Sequence, residues 1–549
     1  MLRNEARRMT RRHSLLIVLT LLVTFLAGAL LIAHALGGAT STPWRVEREF
    51  QQALMIARTH YAGKVDVVRV TRSAIQGMLS ALDPHSNYLD PKDYAELRHE
   101  QESRIYGIGV TINRRNGRVH ILSVIPGGPA DGAGLRYGDA IIAVDGKSAV
   151  DWSTAEVARN VRGERNTYVT LTIERVGERK PLTFRIRRGP VPLPSISNAF
   201  MIRPGVGYIG LTRGFQGTTI DELNEAIRRL KQQGMHELIL DLRYNPGGLL
   251  TQAVQVAGRF LQPGEEIVSV RGRRRPRPPY RVPERLFSYE HDDFPLVVLI
   301  NRASASASEI VAGALQDHDR ALIVGEPSFG KGLVQTVYPI MQGAGGAITL
   351  TTARYYTPSG RSIQRDYSHM SNYEYYDRER EQRNHHRPGD KTTTDAGRPV
   401  YGGGGIEPDV YIPTPEDPVR ARVFGAAFEF VRYLVAGQIK GFSQFRVIRP
   451  QKPASDTDLH VQIDDALLDA FRRFVRRRPD FRLSPQELEQ HIEYARNRIQ
   501  EEVVTARYGM DAGSRVALEH DEQLLAAIKT LPQAKELVEN LRHSKNKRF

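Results

Sequence analysis

The sequence predicts an α/β protein that carries a smaller β-rich unit ahead of its main sheet and helical segments on both flanks. Three observations lead to this fold class. Strands and helices alternate over residues 205–355, a pattern typical of a parallel sheet covered by helices. Short strands and turns replace that pattern over residues 103–190, and the apolar run Leu15–Leu36 precedes both segments.

Composition limits the classes of protein and of site. A chain of 549 residues has room for three or four domains of about 100–200 residues each. The absence of cysteine excludes a disulfide scaffold, a thiolate zinc site, an iron–sulfur cluster and a cysteine nucleophile. Nearly all of the net charge of +15 lies in residues 1–14, 271–285 and 542–548, so no broad basic face suited to nucleic acid is expected.

The apolar run Leu15–Leu36 has the length of a membrane span. Its 22 residues extend about 33 Å as a helix, against a bilayer core of roughly 30 Å. Five arginines in residues 1–14 predict a cytoplasmic amino terminus, a single-pass anchor in the cytoplasmic (inner) membrane and a periplasmic or extracytoplasmic remainder. Two alternatives remain: a signal peptide cleaved near Ala33-His34-Ala35, and a buried core helix.

Residues 44–100 are predicted to be mostly helical, because apolar side chains recur at helical spacing from Val67 to Leu79. The tetrapeptide Asp83-Pro84-His85-Ser86 then ends the helix. A histidine beside a proline, without partners at ligand spacing, indicates a turn or packing role for His85.

The segment 103–190 reads as a compact unit of strands and turns. Val119–Val124 alternates, and Ile141–Val144 is a short apolar strand closed by Asp145-Gly146. Ser153 begins a helix with Glu156 at the capping-box position. Taken alone, the glycines in Gly107-Ile108-Gly109-Val110 indicate only a turn.

The α/β segment has strands and helices in alternation, and polar inserts interrupt it. The helix-rich region after residue 413 includes a strong helix start at Ser484. The inserts are 271–285 and 366–400. The predicted strands are 206–211, 238–240, 295–300 and 321–324, and the predicted helices begin near Thr219, Leu249 and Ser306.

Two patterns in this segment point to chemistry that we consider weakly supported. Gly325, Gly330 and Lys331 are spaced as in a phosphate loop, but Gly332 stands where Ser or Thr would hold Mg²⁺. His318 lies between two aspartates, twelve residues after Ser306, without a G-x-S-x-G elbow. A surface pair is the plainer interpretation of that histidine.

Ser306 and Lys331 form the third pattern. Ser306 lies where a buried strand meets a helix, so the N–H of Ala307 faces a developing oxyanion, and the Gly247-Gly248 turn offers a second donor. Lys331 has largely apolar and glycine neighbours, which favour the neutral amine that a general base requires. The structural alternative is that Ser306 is only an N-cap paired with Glu309.

Five ordered motifs resemble the carboxy-terminal processing (tail-specific) proteases of the S41 family, and the segment 103–190 resembles their circularly permuted PDZ domain. The resemblance covers residues 65–412. It implies that Gly107-Ile108-Gly109-Val110 is the carboxylate loop of the PDZ domain, whose N–H groups would hold a peptide carboxylate while the peptide pairs as an added strand. The motifs are Asp241–Gly248, Ser304–Glu309, Phe329–Gly332 with Val334-Gln335, Tyr356–Gly360 and Gly405–Asp409.

The resemblance implies a fold, a site and an activity. The fold is an S41/crotonase-like α/β protease core, residues 191–412, with the PDZ domain inserted. The activity is a serine endopeptidase that needs no metal or cofactor and cleaves exported proteins from or near their C-terminal tails. Ser306 would be the nucleophile, Lys331 the general base and Gln335 the residue that orients Lys331. The backbone amides near Gly247, Gly248 and Ala307 would form the oxyanion hole.

The resemblance also implies partners: protein substrates with accessible C-terminal tails, a homo-oligomer formed through helical termini and, in some relatives, a lipoprotein adaptor. Asp317 falls where some relatives have a third catalytic acid, but its place at a helix end fits a structural role equally well. The alternative function is a non-catalytic PDZ scaffold that binds tails without cutting them.

Overall fold

The computed structural model describes residues 43–546 except 274–277, 285–290, 341–344, 369, 371–374, 377–390 and 454–455. The predicted cytoplasmic tail 1–14 and membrane segment 15–36 lie outside the described residues, as does much of the 366–400 insert. Among the helices that are described, none combines the length and apolar character needed to cross a membrane.

The chain divides into two compact units after Met78. The first contributes helix α1 (Pro43–His60) and most of helix α2 (Val67–Ser80) to the described residues, so this segment is helical as its periodicity predicted. All elements described below belong to the second unit.

A β-rich unit covers residues 104–192 and contains an antiparallel sheet in the order β3-β4-β5-β7-β8, with β6 paired to β5. Ser153 caps helix α5 in a capping box with Glu156, as predicted. The elements are β2 (Arg104–Gly107), β3 (Val110–Arg115), β4 (Arg118–Val124), α4 (Pro129–Ala133), β5 (Ala140–Val144), β6 (Lys147–Ser148), α5 (Thr154–Val161), β7 (Tyr168–Glu174), β8 (Leu182–Arg187) and β9 (Gly189–Pro192).

The main sheet has the order β10-β11-β12-β15-β16-β21, and every pair except β10–β11 is parallel. This confirms the predicted parallel α/β core. The elements are β10 (Asn198–Arg203), β11 (Val206–Gly210), α6 (Thr219–Gln232), β12 (Glu237–Asp241), α7 (Leu250–Gly258), β15 (Leu296–Ile300), α8 (Ala307–Asp317), β16 (Leu322–Gly325) and β21 (Val410–Tyr411).

Two hydrophobic clusters cover the two faces of the main sheet. Alternate residues of β15 divide between them: Val298 joins the cluster formed with α6, α7 and α8, whereas Leu299 joins a cluster with the last helix, α14 (Glu522–Asn546). The carboxy-terminal helix therefore completes the core of the main sheet.

A second, antiparallel sheet stands beside the first and includes strands that surround the cavity described below. Its path is β1-β18-β13-β14, and β17 pairs with β18 along residues 333–339. The elements are β1 (Asn87–Leu89), α3 (Pro91–Gln101), β13 (Glu266–Gly272), β14 (Tyr280–Arg281), β17 (Leu333–Pro339) and β18 (Ala347–Tyr356), and a separate hairpin is formed by β19 (Lys391–Thr393) and β20 (Pro399–Tyr401).

Helices α9 to α13 form a helical module with its own core, which packs on the β-rich unit. The Tyr137 hydroxyl donates to Glu502 at 2.7 Å, and Arg432 Nε donates to the Gly138 carbonyl at 2.8 Å. The predicted helical character after residue 413 is confirmed. The helices are α9 (Pro418–Val435), α10 (Asp465–Arg476), α11 (Pro485–Gln490), α12 (Ile492–Tyr508) and α13 (Met510–Leu518).

Truncation of Leu299 tests the contribution of α14 to the core. Leu299 is fully buried between the main sheet and α14, so Leu299→Ala should reduce the free energy of unfolding by about 2–5 kcal/mol. Urea unfolding of the chain measures this change. Val150→Ala, at an exposed position, should change it by less than about 0.5 kcal/mol. An equal loss of unfolding free energy in Leu299→Ala and Val150→Ala would contradict the placement of Leu299 in the core between the main sheet and α14.

Candidate active site

Ser306 occupies a strained turn between β15 and α8. Its φ of 57° and ψ of −110° lie outside the extended conformation of an ordinary N-cap residue. It lies beside the buried phenol of Tyr355, whose pKa is raised by burial. The side chain is 8% exposed and lines a cavity, so the strained turn holds the hydroxyl at the cavity wall.

The Glu309 carboxylate, fully buried on α8, connects this turn to the loop that carries Lys331. Its Oε2 accepts hydrogen bonds from the N–H groups of Ser306 (2.7 Å) and Lys331 (2.9 Å). Its Oε1 accepts from the Gly330 N–H (2.6 Å) and the Ser328 hydroxyl (2.5 Å). Burial raises the pKa of Glu309, and these hydrogen bonds oppose that shift by stabilising the anion.

The same contacts remove the basis of the phosphate-loop interpretation. The N–H groups of Gly330 and Lys331 are the donors that a phosphate would need, and the Glu309 carboxylate already occupies them.

Lys331 stands two residues before β17 in a largely buried position. Burial lowers the pKa of its ammonium group, while the nearby carboxylates of Glu309 and Asp83 act in the opposite direction. Within the described part of the chain, Lys331 forms no salt bridge. The local environment therefore favours a neutral amine more than water does.

A cavity of about 460 Å³ brings the predicted residues together. Ser306 and Lys331 line it, as does Gln335, whose side-chain amide donates to the Thr351 hydroxyl at 2.9 Å. Gly247 and Gly248 form part of the same wall. Residues separated by almost ninety positions in sequence thus face one space.

The Gly247-Gly248 turn lies against Ser306, and only glycine fits there. A Cβ on Gly247 would lie 2.7 Å from the Ser306 Cβ, and one on Gly248 would lie 2.2 Å from the Phe215 carbonyl oxygen. Both glycines have positive φ, 99° and 145°.

The structure corrects one predicted role in the oxyanion hole. The Gly247 N–H donates to Asn245 Oδ1 at 2.9 Å, so it is not available to an oxyanion in this conformation. In the described residues, the N–H groups of Gly248 and Ala307 have no acceptor and remain as the two donors beside Ser306.

His318 and Asp317 lie at the other end of α8, away from the cavity. His318 contacts Asp395 and the Glu266 carbonyl oxygen through its two ring nitrogens. Asp317 forms a buried ion pair with Arg361 at 2.7 Å. These partners give both residues a structural role and support leaving Asp317 out of the catalytic set.

Sequence reasoning missed Tyr355 and gave His85 only a turn or packing role. His85 lines the cavity. Its backbone N–H donates to Asp83 Oδ1, and its ring Nε2 lies 2.9 Å from the Tyr375 hydroxyl. Burial lowers the pKa of His85 to about 4, with a further contribution from Lys331, so the ring is neutral near pH 7. The sequence signal that could have placed His85 at the cavity was the run of polar residues that interrupts the apolar pattern at 83–86.

The predicted carboxylate loop presents free N–H groups next to a strand edge. Gly109 has a φ of 78°, and in the described residues the N–H groups of Ile108 and Gly109 have no acceptor. Val110 begins β3, an edge strand of its sheet that packs beside α5. An extended peptide could pair with this edge and place its carboxylate on the loop.

Helix α3 pairs with α5 and borders the cavity. At its amino-terminal end, Asp90 and Asp93 pair with Arg159 of α5, each at 3.0 Å. Near its carboxyl end, Glu100 pairs at 2.8 Å with Arg162, the residue that follows α5, and also lines the cavity. Because α3 is paired to α5 and forms part of the cavity wall, a displacement of α5 would also move that wall.

Comparison with known proteins gives family matches for both regions. Peptidase family S41 matches residues 205–368, and the PDZ domain matches residues 120–175. The carboxy-terminal-processing protease of Bartonella bacilliformis is 39% identical over 353 residues, covering 62% of this chain and 80% of the relative. The carboxyl-terminal-processing protease of a Synechocystis strain is 38% identical over 301 residues, covering 54% and 69%.

Among solved structures, a photosystem II D1 C-terminal processing protease is 28% identical, with a TM-score of 0.36, and the match covers 66% of this chain and 92% of that chain.

Replacement of Lys331 tests its electrostatic environment. Because burial lowers its pKa, the folded chain binds fewer protons than the unfolded chain between the lowered pKa and 10.5, so stability increases with pH across that window. Lys331→Met should therefore unfold at a higher temperature than the wild type at pH 7, and the difference should narrow as pH rises toward 10.5. Thermal unfolding at several pH values measures it, and a pH-independent difference would contradict the prediction.

Proposed function

We propose that this chain, which belongs to peptidase family S41 together with the carboxy-terminal-processing proteases, cleaves exported proteins near their C-terminal tails with Ser306 and Lys331 as its catalytic dyad. Family membership makes the chain a serine peptidase that carries a PDZ domain. The observation that carries the assignment of residues is the shared cavity, in which one carboxylate holds the backbones of both dyad residues.

Acylation begins when the Ser306 Oγ attacks the substrate carbonyl carbon and Lys331 Nζ accepts the hydroxyl proton. The developing oxyanion accepts hydrogen bonds from the N–H groups of Gly248 and Ala307. Collapse of the tetrahedral intermediate releases the amine, which takes the proton from Lys331. In the second half of the reaction, Lys331 Nζ accepts a proton from water as the water oxygen attacks the acyl carbon. The bond between the acyl carbon and Ser306 Oγ then breaks, and Lys331 returns the proton to Ser306.

The lowered pKa of Lys331 supports its role as the base, since a neutral amine must be present before the proton is transferred. Gln335 serves to orient this amine. Its amide nitrogen is bound to Thr351, so its carbonyl oxygen is the atom that remains to accept a hydrogen bond from Lys331.

The PDZ domain is proposed to bind the substrate's C-terminal carboxylate at Gly107–Val110 and to add the tail as a strand beside β3. The contacts of α3 with α5 and with the cavity offer a route by which tail binding influences the protease site. Such coupling would favour cleavage of proteins with accessible tails.

Localisation follows from residues 1–36 and extends the proposal. An apolar segment preceded by arginines supports a single-pass anchor in the inner membrane, with cleavage as a signal peptide as the alternative. The catalytic unit would then act on the periplasmic or extracytoplasmic side. The family resemblance adds an oligomer and a lipoprotein adaptor to this proposal.

Cleavage of an unstructured protein by the chain from Thr42 onward tests the dyad. Ser306→Ala and Lys331→Ala should each reduce kcat/KM by at least about a thousandfold, because the residual rate then depends on binding and the oxyanion hole alone. Ser308→Ala is the matched control: this neighbouring buried serine only donates to the Asn245 carbonyl oxygen and should retain activity.

Two results would change the proposal. Cleavage retained in Ser306→Ala would overturn the assignment of the nucleophile. Tail binding without cleavage by any form, with the adaptor present, would favour the PDZ scaffold instead.

Tail recognition is tested with a peptide in two forms, one with a free C-terminal carboxylate and one amidated. Loss of a charge-assisted hydrogen-bonded carboxylate should weaken binding by about tenfold or more. Fluorescence anisotropy with Ser306→Ala prevents cleavage during the measurement. Equal affinity for both forms would contradict carboxylate recognition by Gly107–Val110.

A further inference from the structure

A second cavity, of about 220 Å³, lies between the β-rich unit and the helical module, away from the protease site. Its wall is unusually rich in arginine and has only two carboxylates, Asp139 and Glu178. The arginines are Arg136 and Arg175 from the β-rich unit, and Arg432, Arg446 and Arg449 from the helical module and its following loop.

Two of the five arginines have clear structural partners. Arg175 binds both oxygens of Asp139, each at 2.8 Å. Arg432 donates to Glu429 at 2.7 Å and to the Gly138 carbonyl at 2.8 Å. Asp139, the buried carboxylate of the wall, is therefore already paired with Arg175, and little negative charge is left for the other guanidinium groups.

The remaining three arginines have no carboxylate partner at ion-pair distance among the described residues. Arg136, Arg446 and Arg449 form no ion pair there, and Glu178, the second carboxylate of the wall, is exposed to solvent. Burial and the neighbouring charges of Arg175 and Arg446 lower the pKa of Arg136, while the carboxylates of Asp139 and Glu178 act in the opposite direction. Like charges have therefore been gathered around one concave space, which costs free energy that a bound anion would offset.

The walls of this space are held closely together. A Cβ on Gly138 would lie 2.9 Å from Arg432 Cγ, and a Cβ on Gly177 would lie 3.0 Å from Gln438 Nε2. The β-rich unit and the helical module approach each other directly at these points. An ion in the cavity would thus contact groups from both, and its binding would strengthen their docking.

We propose that this cavity binds a small oxyanion of the phosphate class, held by Arg136 on one side and by Arg446 and Arg449 on the other. Planar guanidinium groups match phosphate oxygens in charge and in hydrogen-bonding geometry. The volume suits a single ion or headgroup and is below that of a pocket for drug-sized ligands. Free phosphate and the phosphodiester headgroup of a phospholipid share this chemistry.

Calorimetric titration of the full-length chain with inorganic phosphate, at constant ionic strength in chloride, tests the site without reference to proteolysis. The wild type should show saturable 1:1 binding. The double variant Arg446→Gln, Arg449→Gln should bind at least about tenfold more weakly, because charge-assisted hydrogen bonds are lost. Both side chains are exposed, so the variant should fold, and Arg136→Gln provides an independent second variant.

Arg473→Gln is the matched control, because Arg473 is an exposed arginine of the same helical module outside the cavity. It should bind phosphate as the wild type does. Equal weakening of phosphate binding in Arg473→Gln and in the double variant would indicate a nonspecific effect of the lower positive charge and would overturn the proposal.

A parallel titration with glycerophosphoglycerol, the deacylated headgroup of phosphatidylglycerol, distinguishes the sources. Binding of phosphate alone supports a free anion, and binding of the diester that is lost in the double variant supports a lipid headgroup. Absence of saturable binding for both probes would overturn the proposal. Thermal unfolding checks that anion binding stabilises the folded chain. Phosphate should raise the unfolding temperature of the wild type more than that of the double variant.

Discussion

The Glu309 carboxylate accepts four hydrogen bonds, and through them the start of helix α8 and the loop carrying Lys331 become one rigid assembly. An unpaired buried carboxylate would be costly, so its four donors must stay in place around it. Ser306 consequently keeps a strained backbone and Lys331 keeps its distance from solvent. The cavity, the free amides beside Ser306 and the altered pKa of Lys331 all depend on this arrangement.

The helices after residue 413 complete surfaces that the α/β core and the β-rich unit would otherwise expose. Helix α14 buries one face of the main sheet, and the helical module packs on the β-rich unit through Tyr137 and Arg432. On its other side, α5 of that unit is paired to α3, which borders the protease cavity. The β-rich unit is thus in contact with two elements that can limit or transmit its movement.

Much of the fold was predictable because its periodicity is strong. The parallel strands of the main sheet are short apolar runs between turn residues, and Ser153 and Ser484 begin helices where the capping pattern places them. Ser306, Lys331 and the glycine turn were also predicted from local chemistry and the family resemblance, and they line one cavity in the structure. Tyr355 and His85 were not, since neither a tyrosine in a strand nor a histidine beside proline indicates which space its side chain enters.

The sequence by itself determined the elements, their order and the residue types available for acyl transfer, because hydrophobic spacing, caps and glycine turns act over a few neighbouring residues. Tertiary structure decided which groups are free to react. It assigned the Gly247 N–H to Asn245, left Gly248 and Ala307 as donors, directed Asp317 to Arg361 and gathered three arginines in one cavity. Hydrogen bonding and charge pairing depend on distances between residues far apart in the chain, and only folding sets those distances.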